Sequence, residues 1–436
     1  MDDASIKYIF KLSIPIFFAN LAIPLVGIVD TALMGNLEKT NYLTATSIAS
    51  NFFSMLFWSF GFLRMGTVGM VSSEFGKDNF DGIYNIFLRN LIFVIFISLI
   101  VILFQIYLLK ICLNIFELEE QTKNLFEEYF KIRIYSAPGE LSIYIITGLF
   151  VGLRKTFVSS LAVGVLSLLN IIISFYLVVY KGLNIKGVAY GTLISSYITS
   201  IVFIIYTFKY LGLFIKLRIN FSKILNFHDL KNIFNINFNI FIRTILLTFS
   251  FFWFTYSGNK IGEDYVAANA ILLNLIFLSS FFLDAYAFSS EGIVGYSLGK
   301  NNINLFKQVL KNSFILSSFT GLSISLLYLL TNEIFINLMT DIEVIRNLSF
   351  DHVIWLIAFP FFASFCYQFD GIFIGASQTV ELRNSMIISV GAYLIFTFLL
   401  IKSYGNTGLW ISLLLFMIIR ALTLFYNLKK IFIRFK

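Results

Sequence analysis

The chain has 436 residues; 58% are hydrophobic, 18% are aromatic and only 13% are charged, with a formal net charge of +8. Soluble domains are about 45–50% apolar and about one quarter charged, so this composition excludes an ordinary soluble protein and favours one solvated by lipid. The two cysteines and two histidines are isolated in the sequence, which argues against a disulfide framework and against a metal site.

A membrane-spanning helix needs about 20 mostly apolar residues. Twelve stretches meet this requirement, so we predict an all-α polytopic membrane protein of twelve transmembrane helices. The first stretch follows Lys7 and Lys11 and has no small-residue cleavage site, so we interpret it as a helix and not as a signal peptide. The predicted spans are 8–35, 43–72, 84–110, 128–152, 157–180, 187–211, 232–257, 265–295, 305–331, 346–375, 381–402 and 407–432.

The loops between these spans differ in charge. Basic residues gather on the side of the N-terminus, whereas acids such as Glu119, Glu120 and Glu127 gather on the opposite side. The positive-inside rule then predicts a multi-pass protein of a bacterial-type plasma membrane with both termini in the cytoplasm. The basic connection 212–231 is predicted to be a cytoplasmic linker and not a nucleic-acid-binding segment. The basic residues placed within spans are Arg64, Arg243 and Arg420.

The sequence repeats itself at an offset of 223 residues. The stretch Phe75–Asn79 (FGKDN) aligns with Leu298–Asn302 (LGKNN), and Thr147–Thr156 aligns with Asp370–Thr379. One offset that holds at several separate places indicates a duplicated unit.

Each repeat holds six predicted spans, so the second repeat enters the membrane from the same side as the first. We predict an N-terminal lobe over 1–211 and a C-terminal lobe over 232–436, related by an axis along the membrane normal. A cavity between two such lobes opens to either side as the lobes rock. This organisation favours a carrier over a channel or an enzyme.

Asp30 lies in the otherwise apolar stretch Pro24–Gly35 of the first span. Hydrocarbon penalises a charged group, so acids within membrane spans are functional by default. A carboxyl buried away from countercharge can exchange a proton near neutral pH. We therefore predict that Asp30 gains and loses a proton in competition with a cationic substrate. The alternative is a structural acid whose charge is held constant by polar neighbours.

A set of motifs in a fixed order gives the chain a family resemblance. The motifs are Pro24…Gly27…Asp30-Thr31…Gly35, Phe62-Leu-Arg-Met65, Asn239…Arg243-Thr244, Leu283-Asp284…Glu291…Gly295 and Asp370-Gly371…Glu381-Leu-Arg-Asn384. With these motifs the chain resembles the MATE (multidrug and toxic compound extrusion) transporters, and among them the DinF-like branch. The resemblance implies two six-helix lobes and efflux of organic, often cationic, small molecules, driven by uptake of H⁺ or Na⁺. It also implies a monomer in the lipid bilayer, without a cofactor.

The same resemblance implies a cation site in the N-terminal lobe. Matched residue by residue, the site consists of Asp30, Asn170, Ser174 and Thr192. Ser174 stands where several family members have an acid. Because Na⁺ binding favours more oxygen ligands and more negative charge, this difference favours H⁺ as the coupling ion, and Na⁺ stays open as the alternative.

A second group of charges lies in the later spans. Asp284 and Glu291 are seven residues apart and therefore share one helix face. Arg64 shifted by 223 falls at 287, close to both acids. We hypothesise a latch between Arg64 of one lobe and these acids of the other. Alternatively, Arg243 neutralises Asp284 or Glu291 within the C-terminal lobe.

Other classes of function fit less well. The chain lacks a GxxxxGK[ST] phosphate loop and the GxSxG and HExxH motifs, so we predict that it is not an enzyme. His228 and His352 fall at opposite membrane faces, which argues against a lipid-modifying enzyme. A receptor or structural role would not require the repeat. The nearest alternative is a flippase for lipid-linked saccharide or polyisoprenoid precursors, which should show more basic residues for phosphate.

Overall fold

The computed structural model describes residues 4–37, 40–116, 118–212 and 226–435. In these ranges the chain forms helices joined by short turns, without a β-strand. Ten helical segments among the described residues are long and apolar enough to cross a membrane. Most of the predicted linker, residues 213–225, lies outside the described residues.

The first repeat contains nine α-helices. They are α1 (Ile6–Gly35), α2 (Thr40–Ser59), α3 (Phe62–Gly76), α4 (Phe80–Leu103), α5 (Gln105–Ile115), α6 (Glu120–Arg133), α7 (Ala137–Gly152), α8 (Thr156–Phe175) and α9 (Asn184–Gly212). A 3₁₀ turn at Ile134–Ser136 joins α6 to α7, and a π-helical turn at Tyr176–Tyr180 extends α8. Each of these two extended segments forms one membrane span.

The described part of the second repeat contains six longer or merged helices. They are α10 (Phe227–Ile261), α11 (Glu263–Gly299), α12 (Ile303–Met339), α13 (Glu343–Asp351), α14 (Val353–Gly375) and α15 (Thr379–Phe432).

Helix α15 consists of two antiparallel arms. Gly405 has φ +55° and ψ −132°, which no helix accommodates and which glycine tolerates best. Beyond this residue the chain runs back along itself. The Leu400 carbonyl oxygen packs against Gly408, and the rings of Tyr393 and Phe416 lie 5.5 Å apart. The two arms correspond to the predicted spans eleven and twelve.

The predicted second span is interrupted in the structure. The continuous helix expected over 43–72 is wrong at its centre, because α2 ends at Ser59 and α3 begins at Phe62. The Gly61 N–H donates to the Trp58 carbonyl oxygen at 2.9 Å, a tight turn that ends the helical ladder. With α2 and α3 counted as one span and α15 as two, the helices are consistent with twelve spans. The predicted all-α polytopic fold is confirmed.

The internal repeat is preserved in how helices pack. A Cβ built on Gly148 of α7 would lie 2.6 Å from the Arg64 carbonyl oxygen of α3. At the equivalent place, 223 residues later, a Cβ on Gly371 of α14 would lie 2.6 Å from the Ala287 carbonyl oxygen of α11. One turn further, Gly375 abuts the Glu291 carbonyl oxygen. Each repeat therefore packs this helix pair through glycines that allow the backbones to touch.

The turn that follows each of these packed helices is repeated as well. Asp78 and Asn301 both adopt a left-handed conformation, with φ of 56° and 52°. The next residues, Asn79 and Asn302, each cap the following helix, accepting a hydrogen bond of 3.0 Å from the backbone N–H three residues on. The aligned FGKDN and LGKNN motifs are therefore one turn used twice.

Replacing Gly375 by alanine is expected to destabilise the protein by about 1–3 kcal/mol, because the added methyl overlaps the Glu291 carbonyl and separates α11 from α14. Gly391 of α15 is the matched control, since nothing lies within 4 Å of its Cβ position. Alanine there should be neutral or stabilising, as alanine is the better helix former. Melting temperatures of the purified variants in detergent measure both effects, and equal melting temperatures would contradict the packing argument.

The chain divides into two compact units. We call Phe18–Phe234 the first unit, and Met1–Phe17 together with Asn235–Lys436 the second unit. The start of α1 therefore belongs to the unit that the second repeat mainly forms. Likewise, the start of α10 belongs to the unit that the first repeat mainly forms.

Equivalent contacts hold these two exchanged helix ends. In the second unit, the Asn312 amide donates a 2.8 Å hydrogen bond to the Ala4 carbonyl oxygen. In the first unit, Arg89 forms an ion pair with Asp229. Arg89 and Asn312 are themselves 223 residues apart, so one position in each repeat anchors the first helix of the other repeat.

Large apolar side chains point outward along the spans. Leu103, Leu330 and Phe398 are 74%, 80% and 80% exposed. Water would penalise such a surface, whereas lipid does not. The exposed apolar residues thus agree with a chain that crosses a bilayer.

Candidate functional site

Asp30 is buried on a helix that is otherwise largely exposed. Between Asn20 and Gly35, the buried residues are Asp30 and Met34, which lie one turn apart on a single face of α1. Asp30 is 6% exposed, and its Oδ1 atom has no hydrogen-bond partner among the described residues. The carboxyl group therefore faces into the first unit with hydrogen-bonding capacity to spare.

Arg133 at the end of α6 is the charge nearest in effect to Asp30. It is buried and interacts electrostatically with Asp30. The guanidinium forms an ion pair with Glu140 of α7 and donates to Ser136, whose hydroxyl donates to Glu140 at 3.0 Å. The group is therefore held on one side by α7.

Aromatic side chains complete the surroundings of Arg133. The guanidinium carbon lies 5.2 Å from the ring centre of Phe53 and 5.0 Å from that of Phe57, both on α2. Tyr129, one turn earlier on α6, shares a side-chain hydrogen bond with Arg133 and lies 3.4 Å from the Ser50 hydroxyl. Cation–π contacts stabilise a buried guanidinium without neutralising it.

The other three residues of the predicted cation site are joined to one another. The Asn170 amide donates to the Thr192 hydroxyl at 2.8 Å, and the Ser174 hydroxyl donates to the Asn170 carbonyl oxygen at 3.4 Å. All three are buried. Helices α8 and α9 approach closely here because Gly191 abuts Ser174. These contacts form a polar cluster of amide and hydroxyl groups without a charge of its own.

The second unit contains a buried charged cluster of different composition. Asp370 of α14 forms ion pairs with Arg243 of α10 and, at 2.5 Å, with Arg420 of α15. The three side chains are at most 7% exposed. The ion pair found for Arg243 is thus with Asp370, a residue whose role the sequence left open. One acid here connects three helices.

The remaining predicted charges have distinct positions. Glu291 is buried in α11 where Gly375 of α14 touches it, and Asp284 is half-buried on the same helix and acts electrostatically on Tyr367. Arg64 is buried in α3 of the first unit. The pairing of Arg243 with Asp284 or Glu291 and the latch from Arg64 both stay predictions.

Sequence reasoning missed the Arg133–Glu140 pair. The sequence analysis counted three arginines within spans, yet Arg133 and Arg89 are also buried inside helical spans. The available signal was a base and an acid seven residues apart, around Pro138, inside a predicted span. Opposite charges at this spacing share a helix face and can pair in lipid.

In the part of the chain that the structure describes, no three His, Cys, Asp or Glu side chains are grouped closely enough to hold a metal ion. The polar atoms near Asp30 are amide, hydroxyl and guanidinium groups. Such a set suits proton exchange and hydrogen bonding.

Comparison with known proteins identifies relatives along nearly the whole chain. A family model described as MatE matches residues 15–176 and 240–401, one match in each repeat. DNA damage-inducible protein F of Escherichia coli is 28% identical over 97% of this chain and 91% of its own length. Multidrug export protein MepA of Staphylococcus aureus is 25% identical over 56% of this chain and 54% of its own length.

A solved structure has the same fold. An outward-facing multidrug resistance MATE family transporter of the MOP superfamily superposes with a TM-score of 0.88, covering 100% of this chain and 98% of its own, at 16% identity. This likeness confirms the predicted fold class, and the relatives confirm the resemblance that the motifs indicated. The family model covers most of the chain in two equivalent segments, and the chain therefore belongs to the MatE family of membrane transporters.

Proposed function

We propose that this protein is an H⁺-coupled antiporter that exports organic, often cationic, compounds by alternating access, with Asp30 as the protonation site. The observation that supports this proposal is the burial of Asp30, whose Oδ1 has no hydrogen-bond partner among the described residues. An acid in such a place exchanges a proton at low structural cost. Relatives in the family that carry names of multidrug export proteins make organic compounds the expected substrate.

The proposed mechanism needs no covalent chemistry. Ionised Asp30 attracts a cationic substrate or polar partners, and protonated Asp30 loses that attraction and allows α1 to repack. Proton and substrate thus compete, which produces exchange when the site opens alternately to the two sides of the membrane.

The available driving force is sufficient. One charge crossing about 100 mV is worth roughly 2.3 kcal/mol, and one pH unit adds about 1.36 kcal/mol. Because each 1.4 kcal/mol corresponds to a factor of ten, roughly 3.7 kcal/mol sustains a substrate gradient of several hundredfold.

Na⁺ is the alternative coupling ion. The cluster of Asn170, Ser174 and Thr192 offers neutral oxygens, and Asp30 would supply the one carboxylate of the predicted site. Na⁺ coupling needs more charge and more oxygen ligands than this set contains. The residues present therefore favour H⁺.

The flippase alternative requires basic groups available to phosphate. In the second unit, Arg243 and Arg420 share Asp370, so part of their charge is already neutralised. Asp30 would in addition repel an anionic cargo. Both observations favour the antiporter.

We also propose the setting in which the protein works. It crosses a bacterial-type plasma membrane many times, with both termini in the cytoplasm, and acts as a monomer on small molecules without a cofactor and without nucleic acid. The basic loops on the side of the N-terminus support this orientation.

A gradient experiment tests the proposed function. The purified protein is placed in lipid vesicles, and an H⁺ gradient or an Na⁺ gradient is imposed separately while a panel of cationic dyes is followed by fluorescence. An H⁺ gradient alone should drive dye movement. Movement driven by Na⁺ alone, or movement of no dye under either gradient, would contradict the proposal.

The predicted latch has its own test. Reversing Arg64 to glutamate should impair dye efflux, and Glu291→Arg in the same protein should restore part of it, because the opposite charges then face each other again. Initial efflux rates of the single and double variants measure the rescue. If reversal at neither Asp284 nor Glu291 restores efflux, the latch is wrong.

A further inference from the structure

Arg133 is a buried cation whose fixed partners lie on one side. Glu140 and Ser136 hold the guanidinium from α7, and the rings of Phe53 and Phe57 cover it without neutralising it. Arginine keeps its charge under all physiological conditions and has five N–H donors. The group therefore stays positive, with donors beyond those that one carboxylate and one hydroxyl use.

The same guanidinium acts on Asp30. Tyr129 connects the two residues, since it is hydrogen-bonded to Arg133 and interacts electrostatically with Asp30. The Oδ1 atom of Asp30 has no hydrogen-bond partner among the described residues. An arginine between two acids can favour either one, and the charge on Asp30 decides which.

The charged and titratable groups around this pair come from several helices. Helix α2 contributes aromatic rings and the hydroxyl of Ser50. Helix α9 contributes Lys186, which is paired with Glu128 near the start of α6. The groups that act electrostatically on this neighbourhood are Asp30 of α1, Arg64 of α3, Tyr129 and Arg133 of α6, and Glu140 and Tyr144 of α7.

We propose that Arg133 acts as a built-in cation that makes the Asp30 site selective for H⁺ over Na⁺. This inference rests on the proposed function, because it concerns which ion Asp30 takes. When Asp30 is ionised, Arg133 already supplies a positive charge, so a sodium ion would meet repulsion in a medium of low dielectric constant. A proton instead binds covalently to the carboxylate, neutralises it, and leaves Arg133 to pair fully with Glu140.

The test removes both charges of the pair while keeping the hydrogen-bonding groups. In the Arg133→Gln/Glu140→Gln variant, an Na⁺ gradient alone should drive efflux of a cationic dye such as ethidium from lipid vesicles at least about tenfold faster than in the wild type. Na⁺ should also raise the melting temperature of the purified variant and leave that of the wild type unchanged. Adding Asp30→Asn to the variant should abolish both responses to Na⁺.

The matched control lies on the same helix. Lys131 and Glu127 of α6 form an exposed ion pair of 2.9 Å, so Lys131→Gln/Glu127→Gln removes the same two charges away from Asp30. This control should behave as the wild type. A folded Arg133→Gln/Glu140→Gln variant that responds to H⁺ and ignores Na⁺ would overturn the inference.

Failure of the inference is distinguishable from failure of the proposed function. If Asp30→Asn alone keeps full efflux, the proposed function is wrong, whatever Arg133 does. If the double variant does not fold, Glu140→Gln alone provides the test. Without Glu140, Arg133 favours ionised Asp30, so the pH profile of efflux should move to lower pH by about one unit. An unchanged profile or a shift to higher pH would overturn the inference.

Discussion

Asp30→Asn is expected to abolish H⁺-coupled efflux while the protein stays folded. Asparagine has nearly the shape of aspartic acid and cannot ionise, so it resembles permanently protonated Asp30. The proton then has no site at which to compete with substrate, and dye efflux should fall to the rate of empty vesicles. Because the substitution also removes the cost of burying a charge, the melting temperature should not fall.

Efflux of a cationic dye from vesicles under an imposed pH gradient measures this effect. Asp264→Asn is a suitable control, since Asp264 is an exposed acid in the first turn of α11 and its replacement should leave the rate unchanged. Full efflux by the Asp30→Asn variant would show that the coupling site lies elsewhere.

Asp370→Asn is expected to cause the largest loss of stability. Arg243 and Arg420 both pair with this carboxylate in a buried place, and asparagine would leave two guanidinium charges there without countercharge. Removing one partner of a buried ion pair costs about 3–5 kcal/mol. The expected result is a marked drop in melting temperature and poor recovery of the purified protein.

An ion pair at the surface of the same unit provides the control. Lys430 is half-exposed and lies 3.1 Å from Glu381. Because exposed pairs contribute about 0–1 kcal/mol, Lys430→Ala should change the melting temperature little. If Asp370→Asn melts at the temperature of the Lys430→Ala variant, the two arginines do not depend on Asp370.

Fold class and family could be predicted from the sequence because the relevant signals are local. A spanning helix must satisfy its own backbone hydrogen bonds, so length and apolar composition are enough to locate it. The breaks inside spans were harder to predict. The turn at Gly61 and the reversal at Gly405 have the same residue type, yet one interrupts a single span and the other separates two. That difference depends on what each flanking helix packs against.

The candidate site was only partly predictable. The rarity of an acid in hydrocarbon was enough to identify Asp30, and the resemblance to the family indicated Asn170 and Thr192. Arg133 was not predicted, because nothing local shows that the end of α6 faces the buried side of α1. Likewise, the sequence indicated Arg243 and Arg420 as intramembrane charges but did not identify Asp370 as their common partner.

The sequence by itself determined that this protein crosses a membrane, that its two halves are copies, and that an acid lies within its first span. These properties follow from composition and from an offset, neither of which needs three-dimensional contacts. Tertiary structure alone decided which charges meet. Arg133 with Glu140 and Asp370 with two arginines depend on helix rotation and on close approach at glycines, and apolar sequence in lipid leaves both undetermined.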